Sequence, residues 1–137
     1  MEILVNIDVP ELEAGIEFYS TGLGFEHLRT LGGRVAEMRC GDCRVYLLAK
    51  AAGTAPFEGG ADVRRYERHW TPVHLDLAVT DVAAAVERAR RAGARVESDP
   101  ASHSWGTIAQ LADPFGNGLC VIEFTEAGYD AVADSSG

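Results

Sequence analysis

Shifted by 70 positions, the chain reads onto itself (from Val9 to Val79, 79 − 9 = 70). Leu4 falls on His74, Asn6 on Asp76, Ile7 on Leu77, Leu12 on Val82, Ile16 on Val86 and Glu17 on Glu87. One element can match in phase by accident. A strand and the helix after it matching together point to two copies of one supersecondary unit. Each copy supplies a strand, a helix and three more strands, so the chain is expected to fold as an α+β protein: two βαβββ modules in tandem, their sheets walling a small-molecule cavity.

The elements follow from period and punctuation. In residues 3–9, Ile3, Val5, Ile7 and Val9 share one apolar face, with Leu4, Asn6 and Asp8 on the other. Pro10 suits a first helical turn, Leu12, Ile16 and Tyr19 recur at helical spacing, and Gly22 and Gly24 offer a stop. Strands are expected over 25–30, 34–40 and 44–50, separated by Gly32-Gly33 and Gly41-Asp42 turns. In the second copy, strand 72–79 precedes a helix capped by Thr80 or Asp81 and ended by Gly93. Strands follow over 95–97, 105–112 and 118–124, the last two joined by Asp113-Pro114-Phe115-Gly116-Asn117. The division is residues 2–50 for the first module, 51–70 for a linker, 71–125 for the second module, and 126–137 for a polar tail expected to fray. The linker's mostly basic cluster, Arg64 to His69, reads as a solvated face.

Composition narrows the function. A 137-residue chain with 47 % apolar residues can bury a core, and a net charge of −9 argues against nucleic acid and against an anionic membrane surface. No stretch has the roughly 20 apolar residues of a membrane span, and the N-terminus shows no signal-peptide pattern, so the expected compartment is cytoplasmic. Cys40, Cys43 and Cys120 then read as free thiols. Cys40-Gly41-Asp42-Cys43 lacks the second pair of a zinc site and the following helix of a redox motif, and it reads chiefly as a hairpin turn; a regulatory disulfide and adventitious metal binding are the lesser alternatives.

The helices must cover the apolar faces of the two opening strands. The opposite faces carry Leu4, Asn6 and Asp8 in one copy and His74, Asp76 and Ala78 in the other. Polar groups on such a surface contact ligand or cavity water, or satisfy one another; His74 and Asp76 fit either reading.

The modules resemble the vicinal oxygen chelate superfamily, which includes glyoxalase I, bleomycin-resistance proteins and extradiol dioxygenases. The resembling residues are Glu17-Phe18-Tyr19 with Leu23-Gly24-Phe25, Val73-His74-Leu75-Asp76-Leu77, and Asp113-Pro114-Phe115-Gly116-Asn117-Gly118, within residues 3–125. The resemblance implies the glyoxalase/bleomycin-resistance fold and, as partner, a second copy in a homodimer. Its metal enzymes place His, Gln or Glu ligands on the first and last strand of each module. Those positions fall here on Leu4, Leu47, His74 and Cys120, and two leucines cannot ligate. No metal and no cofactor is therefore expected. What remains is a metal-independent protein that binds or sequesters a small organic molecule such as an antibiotic or aromatic metabolite. Its expected contacts are Asn6, Asp8, Tyr46, Leu47, His74, Asp76, Trp105 and Cys120. Phe124 and Trp70 are further aromatic candidates. The alternative is a lyase, isomerase or dioxygenase-like enzyme in which His74, Asp76 and Cys120 perform acid–base chemistry, Cys120 as nucleophile. A third reading is a domain whose cavity is collapsed and unused.

Overall fold

The computed structural model describes residues 1–135. The chain forms two compact units, Met1–Glu67 and Arg68 onward. The segment 51–70 is thus not a free linker: its first part belongs to the first unit, and Arg68 opens the second.

The first unit runs β1 (Leu4–Val9), α1 (Leu12–Glu17) continued by a wider turn over Phe18–Gly22, β2 (Glu26–Leu31), β3 (Val35–Cys40) and β4 (Cys43–Ala49). Its sheet has the order β1-β4-β3-β2, with β1 parallel to β4 and the remaining pairs antiparallel. That is a βαβββ module. Register fixes its two faces. Val5, Ile7 and Val9 lie beside Val45, Leu47 and Ala49, and Leu47 beside Ala36. This face carries the fully buried Val9, Ala36, Met38 and Leu47 and packs under α1. Gly15 permits the approach: a Cβ there would stand 3.1 Å from both methyls of Val9. The Phe18-Tyr19…Phe25 segment closes the core, with Phe18 edge-on to Tyr19 at 5.1 Å and Tyr19 against Phe25 at 5.5 Å. Gly24, at φ 76°, turns the chain out of the helix.

The second unit runs β5 (Leu75–Ala78), α2 (Val82–Arg91), β6 (Arg95–Val96), β7 (Ala101–His103), β8 (Gly106–Ala112) and β9 (Gly118–Phe124). The order is β5-β9-β8-β6, β5 parallel to β9, with β7 pairing farther along β8. The edge strand is interrupted at Pro100, which has no N–H to give a ladder. Asp81 is the N-cap of α2 and accepts the Ala84 N–H at 3.0 Å. Leu111, Leu119, Val121 and Ala109 form the buried helix-side layer with Val82 and Ala89. The Asp113 carboxylate organises the β8–β9 turn. Its Oδ1 accepts the backbone N–H of Phe115 and of Asn117, each at 2.9 Å, and its Oδ2 accepts the Asn117 amide at 2.8 Å.

Two expectations about the second module and the tail are corrected. β5 is shorter than the expected 72–79, since Pro72 and Val73 precede the ladder. The tail is not frayed throughout. Gly128–Val132 forms a 3₁₀ turn whose Tyr129 packs on Phe124 at 4.9 Å and on Trp105 at 5.5 Å. Residues 136–137 of that tail lie outside the described residues. No helix among the described residues is long and apolar enough to cross a membrane.

Candidate functional site

The second module gathers its chemistry on the face of the sheet turned away from α2. His74 stands one residue before β5, two positions from Asp76, so strand alternation puts both on one side. Asp76 is in register with Cys120 on β9, and Cys120 with Gln110 on β8. Glu97 continues the row, its N–H bonded to the Gln110 carbonyl at 2.8 Å. Around this row lies a hollow of about 160 Å³, lined also by Arg68, Trp70, Thr71 and Gly118.

Asp76 is the hub. The His74 Nε2 sits 3.1 Å from Asp76 Oδ1, and the Cys120 thiol is also hydrogen-bonded to Asp76. A donating Nε2–H selects the tautomer that leaves Nδ1 as an acceptor. Burial, then the Asp76 charge and its hydrogen bond, push the Cys120 thiol above its ordinary range. Such a thiol is protonated at neutral pH and is a weak nucleophile. Arg68 reaches across the face to Glu97 through Nε at 2.7 Å and Nη2 at 3.0 Å. That fork holds the Glu97 carboxyl below the usual range, chiefly by hydrogen bonding. Gly118 makes room for it: a Cβ there would fall 2.5 Å from Arg68 Nη2.

The donor chemistry can be tested against the superfamily's metal site. His74, Asp76 and Cys120 offer one donor atom each within 4.8 Å of one another. On the first module, Leu4 opposes Arg44 and Asn6 opposes Tyr46, so the open-face positions of β4 are Arg44, Tyr46 and Leu48. None of these supplies the carboxylate or imidazole that the four-strand set requires, so the residues do not fit that set. The nitrogen, oxygen and sulfur donors of the second module alone are a zinc-type combination rather than one for a hard ion.

The remaining expected contacts divide as follows. Asn6, Asp8 and Tyr46 share the open face of the first sheet. Asp8 is already committed, paired at 2.7 Å with Arg64, which also donates to the Ala55 carbonyl at 2.9 Å. Tyr46 donates to Glu37 at 3.3 Å, and Glu37 is further held by Arg29 at 3.2 Å. Leu47 is a correction: it points to the helix side and is fully buried there, because side chains alternate and its neighbours Tyr46 and Leu48 take the open face. Trp105 lies in the β7–β8 turn, stacked on His103 at 4.9 Å, outside this hollow's lining. The aromatic at the hollow is Trp70, whose exposure is 81 %. The basic cluster is exposed at Arg65, Glu67, Arg68 and His69, as the solvated reading expects, while Arg64 and Arg68 also carry the ion pairs just described. Arg68, Glu97 and Gln110 were missed by sequence reasoning. Only the strand phase of Gln110, two positions from Ala112, offered a signal.

Two βαβββ modules, each with a mixed sheet covered on one face by a helix and bearing polar side chains on the other, define the glyoxalase/bleomycin-resistance/dioxygenase class. The family model for the glyoxalase-like domain matches residues 4–122, and the chain belongs to that family. Among curated relatives, the anthracycline biosynthesis protein DnrV of Streptomyces peucetius is 43 % identical over 65 residues, 47 % of this chain and 22 % of that protein. The chain thus matches only about a fifth of that relative's length. Among solved structures, the hypothetical protein SA1046 from S. aureus superposes with a TM-score of 0.68 at 20 % identity, covering 90 % of this chain and 96 % of that one. The fosfomycin resistance protein FosX from Listeria monocytogenes superposes with a TM-score of 0.68 at 14 % identity, covering 92 % and 94 %. At these identities the structures speak for the fold alone.

Proposed function

We propose that the open face of the second module binds a small, largely aromatic organic molecule without a metal ion, as a binding or sequestration protein. The observation that carries this reading is a hollow of about 160 Å³ lined by His74 and Cys120, whose donor atoms lie within 4.8 Å of the Asp76 carboxylate, with Trp70 exposed at its rim. A flat indole supplies a stacking surface, and the imidazole, thiol and Gln110 amide supply donors and acceptors that orient a ligand. The hollow is small beside a drug-sized pocket, so one ring system, or the edge of a larger one, is the fitting load. The relative's role in anthracycline biosynthesis makes oxygenated fused-ring aromatics the first class to test. The superfamily resemblance also supports a homodimer, which light scattering on the purified chain checks, and the cytoplasm is retained as the proposed compartment.

The test uses the chain's two tryptophans, Trp70 and Trp105. Anthraquinones and anthracyclines are titrated against intrinsic fluorescence and against melting temperature. Quenching should saturate, raise the melting temperature, vanish in Trp70→Phe, and survive a chelator. A panel in which no compound shifts the melting temperature, or binding that requires added Zn²⁺, overturns the reading.

A second reading rests on one distance. The 3.1 Å contact to Asp76 orients the His74 ring as a positioned base oriented by a carboxylate would be. The raised Cys120 thiol argues against its nucleophilic form, so an enzyme here would use His74 as general base or acid and not Cys120 as nucleophile. Turnover of any panel compound that is lost in His74→Asn while binding persists would select it.

A further inference from the structure

The first module holds a second pair of reactive side chains, away from the groups discussed above. β3 ends at Cys40 and β4 begins at Cys43, and the two are direct partners in the antiparallel register. Gly41, at φ 56°, and Asp42 form the two-residue turn between them. Opposed residues of an antiparallel ladder project to the same side, with Cα atoms about 4.5–5.5 Å apart, within the roughly 4.4–6.8 Å that a disulfide spans. Both cysteines are free and half-buried, so small reagents reach them, whereas Cys120 is buried.

We infer that Cys40 and Cys43 are a dithiol–disulfide couple that closes across the hairpin turn when the chain meets a low-molecular-weight disulfide. The first thiolate, from Cys43, attacks one sulfur of the small disulfide; its S–S bond breaks and one small thiolate leaves. Cys40 is the slower starter because burial and the neighbouring Cys43 push its thiol up. The Cys40 thiolate then attacks the Cys43 sulfur of the mixed disulfide, forming the protein S–S bond and releasing the second small thiolate. The protein loses two protons and two electrons, and the small disulfide is reduced to two thiols. The closed loop is so short that the cross-link changes unfolded-state entropy little. Its effect is local: it pins the turn beside Arg39 and Arg44, which pair with Glu26 and Glu37. This inference is independent of the ligand reading.

The full chain is equilibrated in buffers of reduced and oxidised glutathione, quenched with an alkylating reagent, and followed by intact mass and peptide mapping. The expected product is a monomer lighter by two hydrogens, linked Cys40 to Cys43, with Cys120 alkylated only after unfolding. In Cys40→Ser the remaining Cys43 should stop at a stable glutathione adduct. Wild type that stays reduced across the whole series, that accumulates glutathione adducts on both turn cysteines, or that links either one to Cys120 overturns the inference. The wild-type titration alone decides these outcomes, so the result does not depend on the variant folding.

Discussion

Gly118→Ala tests the arrangement of the second module's open face. Gly118 lies on β9 opposite Ala112, and an added Cβ would stand 2.5, 2.8 and 2.9 Å from Nη2, Cζ and Nη1 of Arg68. Real Cβ atoms do not tolerate those distances, but the obstacle is the far end of a flexible side chain, so Arg68 swings away and the strand stays. The swing breaks the two-pronged bond to Glu97. With the Arg68 and Glu97 side chains 37 % and 23 % exposed, that pair belongs near the top of the surface range, about 1 kcal/mol. Against this, alanine gains at most about 0.5–1 kcal/mol over glycine, the strand-interior figure, since Gly118 is the first residue of β9. The terms nearly cancel, so Gly118→Ala alone should change stability by less than about 0.5 kcal/mol. The information is in the cycle. In a Glu97→Gln background the pair is weakened already, and the same substitution should be stabilising, giving a coupling of about 1 kcal/mol by urea denaturation. Equal effects in both backgrounds would refute the placement of Arg68 against β9. A loss above about 2 kcal/mol in both would show that the backbone, and not Arg68, takes the clash.

Asp113→Ala strands the N–H groups of Phe115 and Asn117 in a turn whose Asp113 is 3 % exposed, and should cost about 3 kcal/mol, read as a lower urea midpoint. Glu97 is held below the usual carboxylate range by Arg68, so the unfolded chain takes up its proton first on acidification; the stability it contributes is present above the ordinary carboxylate pKa and is lost as pH falls through the depressed one. The melting-temperature gap between wild type and Arg68→Gln should therefore be full near neutrality and shrink below about pH 4; a gap that widens there contradicts the sign. Cys120, raised by burial and Asp76, should alkylate in the folded chain only well into alkaline pH, and Asp76→Asn should move that onset downward, followed by mass against an unfolded control. Tyr129→Ala should red-shift the emission of Trp105 in a Trp70→Phe background and cost about 1 kcal/mol, since it removes rings packed at 5.5 and 4.9 Å.

The fold was legible in the sequence because its information is periodic. Strand alternation in 3–9, the short apolar run at 119–122, the helix stripe of Leu12 and Ile16, and the Asp-Pro-Phe-Gly-Asn turn are local signals, and the offset of 70 multiplies those of the first strand and helix. β7 was not legible, because Ala101-Ser102-His103 has no apolar alternation and is ordered by pairing with β8. Leu47 was misplaced for another reason. Its position was taken from the superfamily's ligand order, and a one-residue offset on a strand turns a side chain to the opposite face. The site was legible only where it lies within one strand, as His74 and Asp76 do. Arg64 to Asp8 and Arg68 to Glu97 span 56 and 29 residues, and no local pattern announces a contact at that range. The cluster is largely exposed, yet two of its arginines, Arg64 and Arg68, reach Asp8 and Glu97, and that part its composition did not announce.

The two modules agree on their helix-covered faces and diverge on their open ones, and the divergence bears on ligand choice. In the first module the charges are closed among themselves: Asp8 is taken by Arg64, and Glu37 by Arg29, Arg44 and Tyr46. A ligand docking there would have to desolvate settled ion pairs, which returns little. In the second module Asp76 collects a thiol and an imidazole, groups that both donate and accept, while the Arg68 guanidinium is committed to Glu97. An anionic ligand would compete with Glu97 for Arg68 and face the Asp76 carboxylate. A neutral ligand bearing hydroxyl or carbonyl oxygens on an aromatic frame would use the His74 ring, the Gln110 amide and the Trp70 face without displacing a charge. Within the aromatic class, the electrostatics of this face therefore favour neutral, oxygen-decorated rings over carboxylated ones.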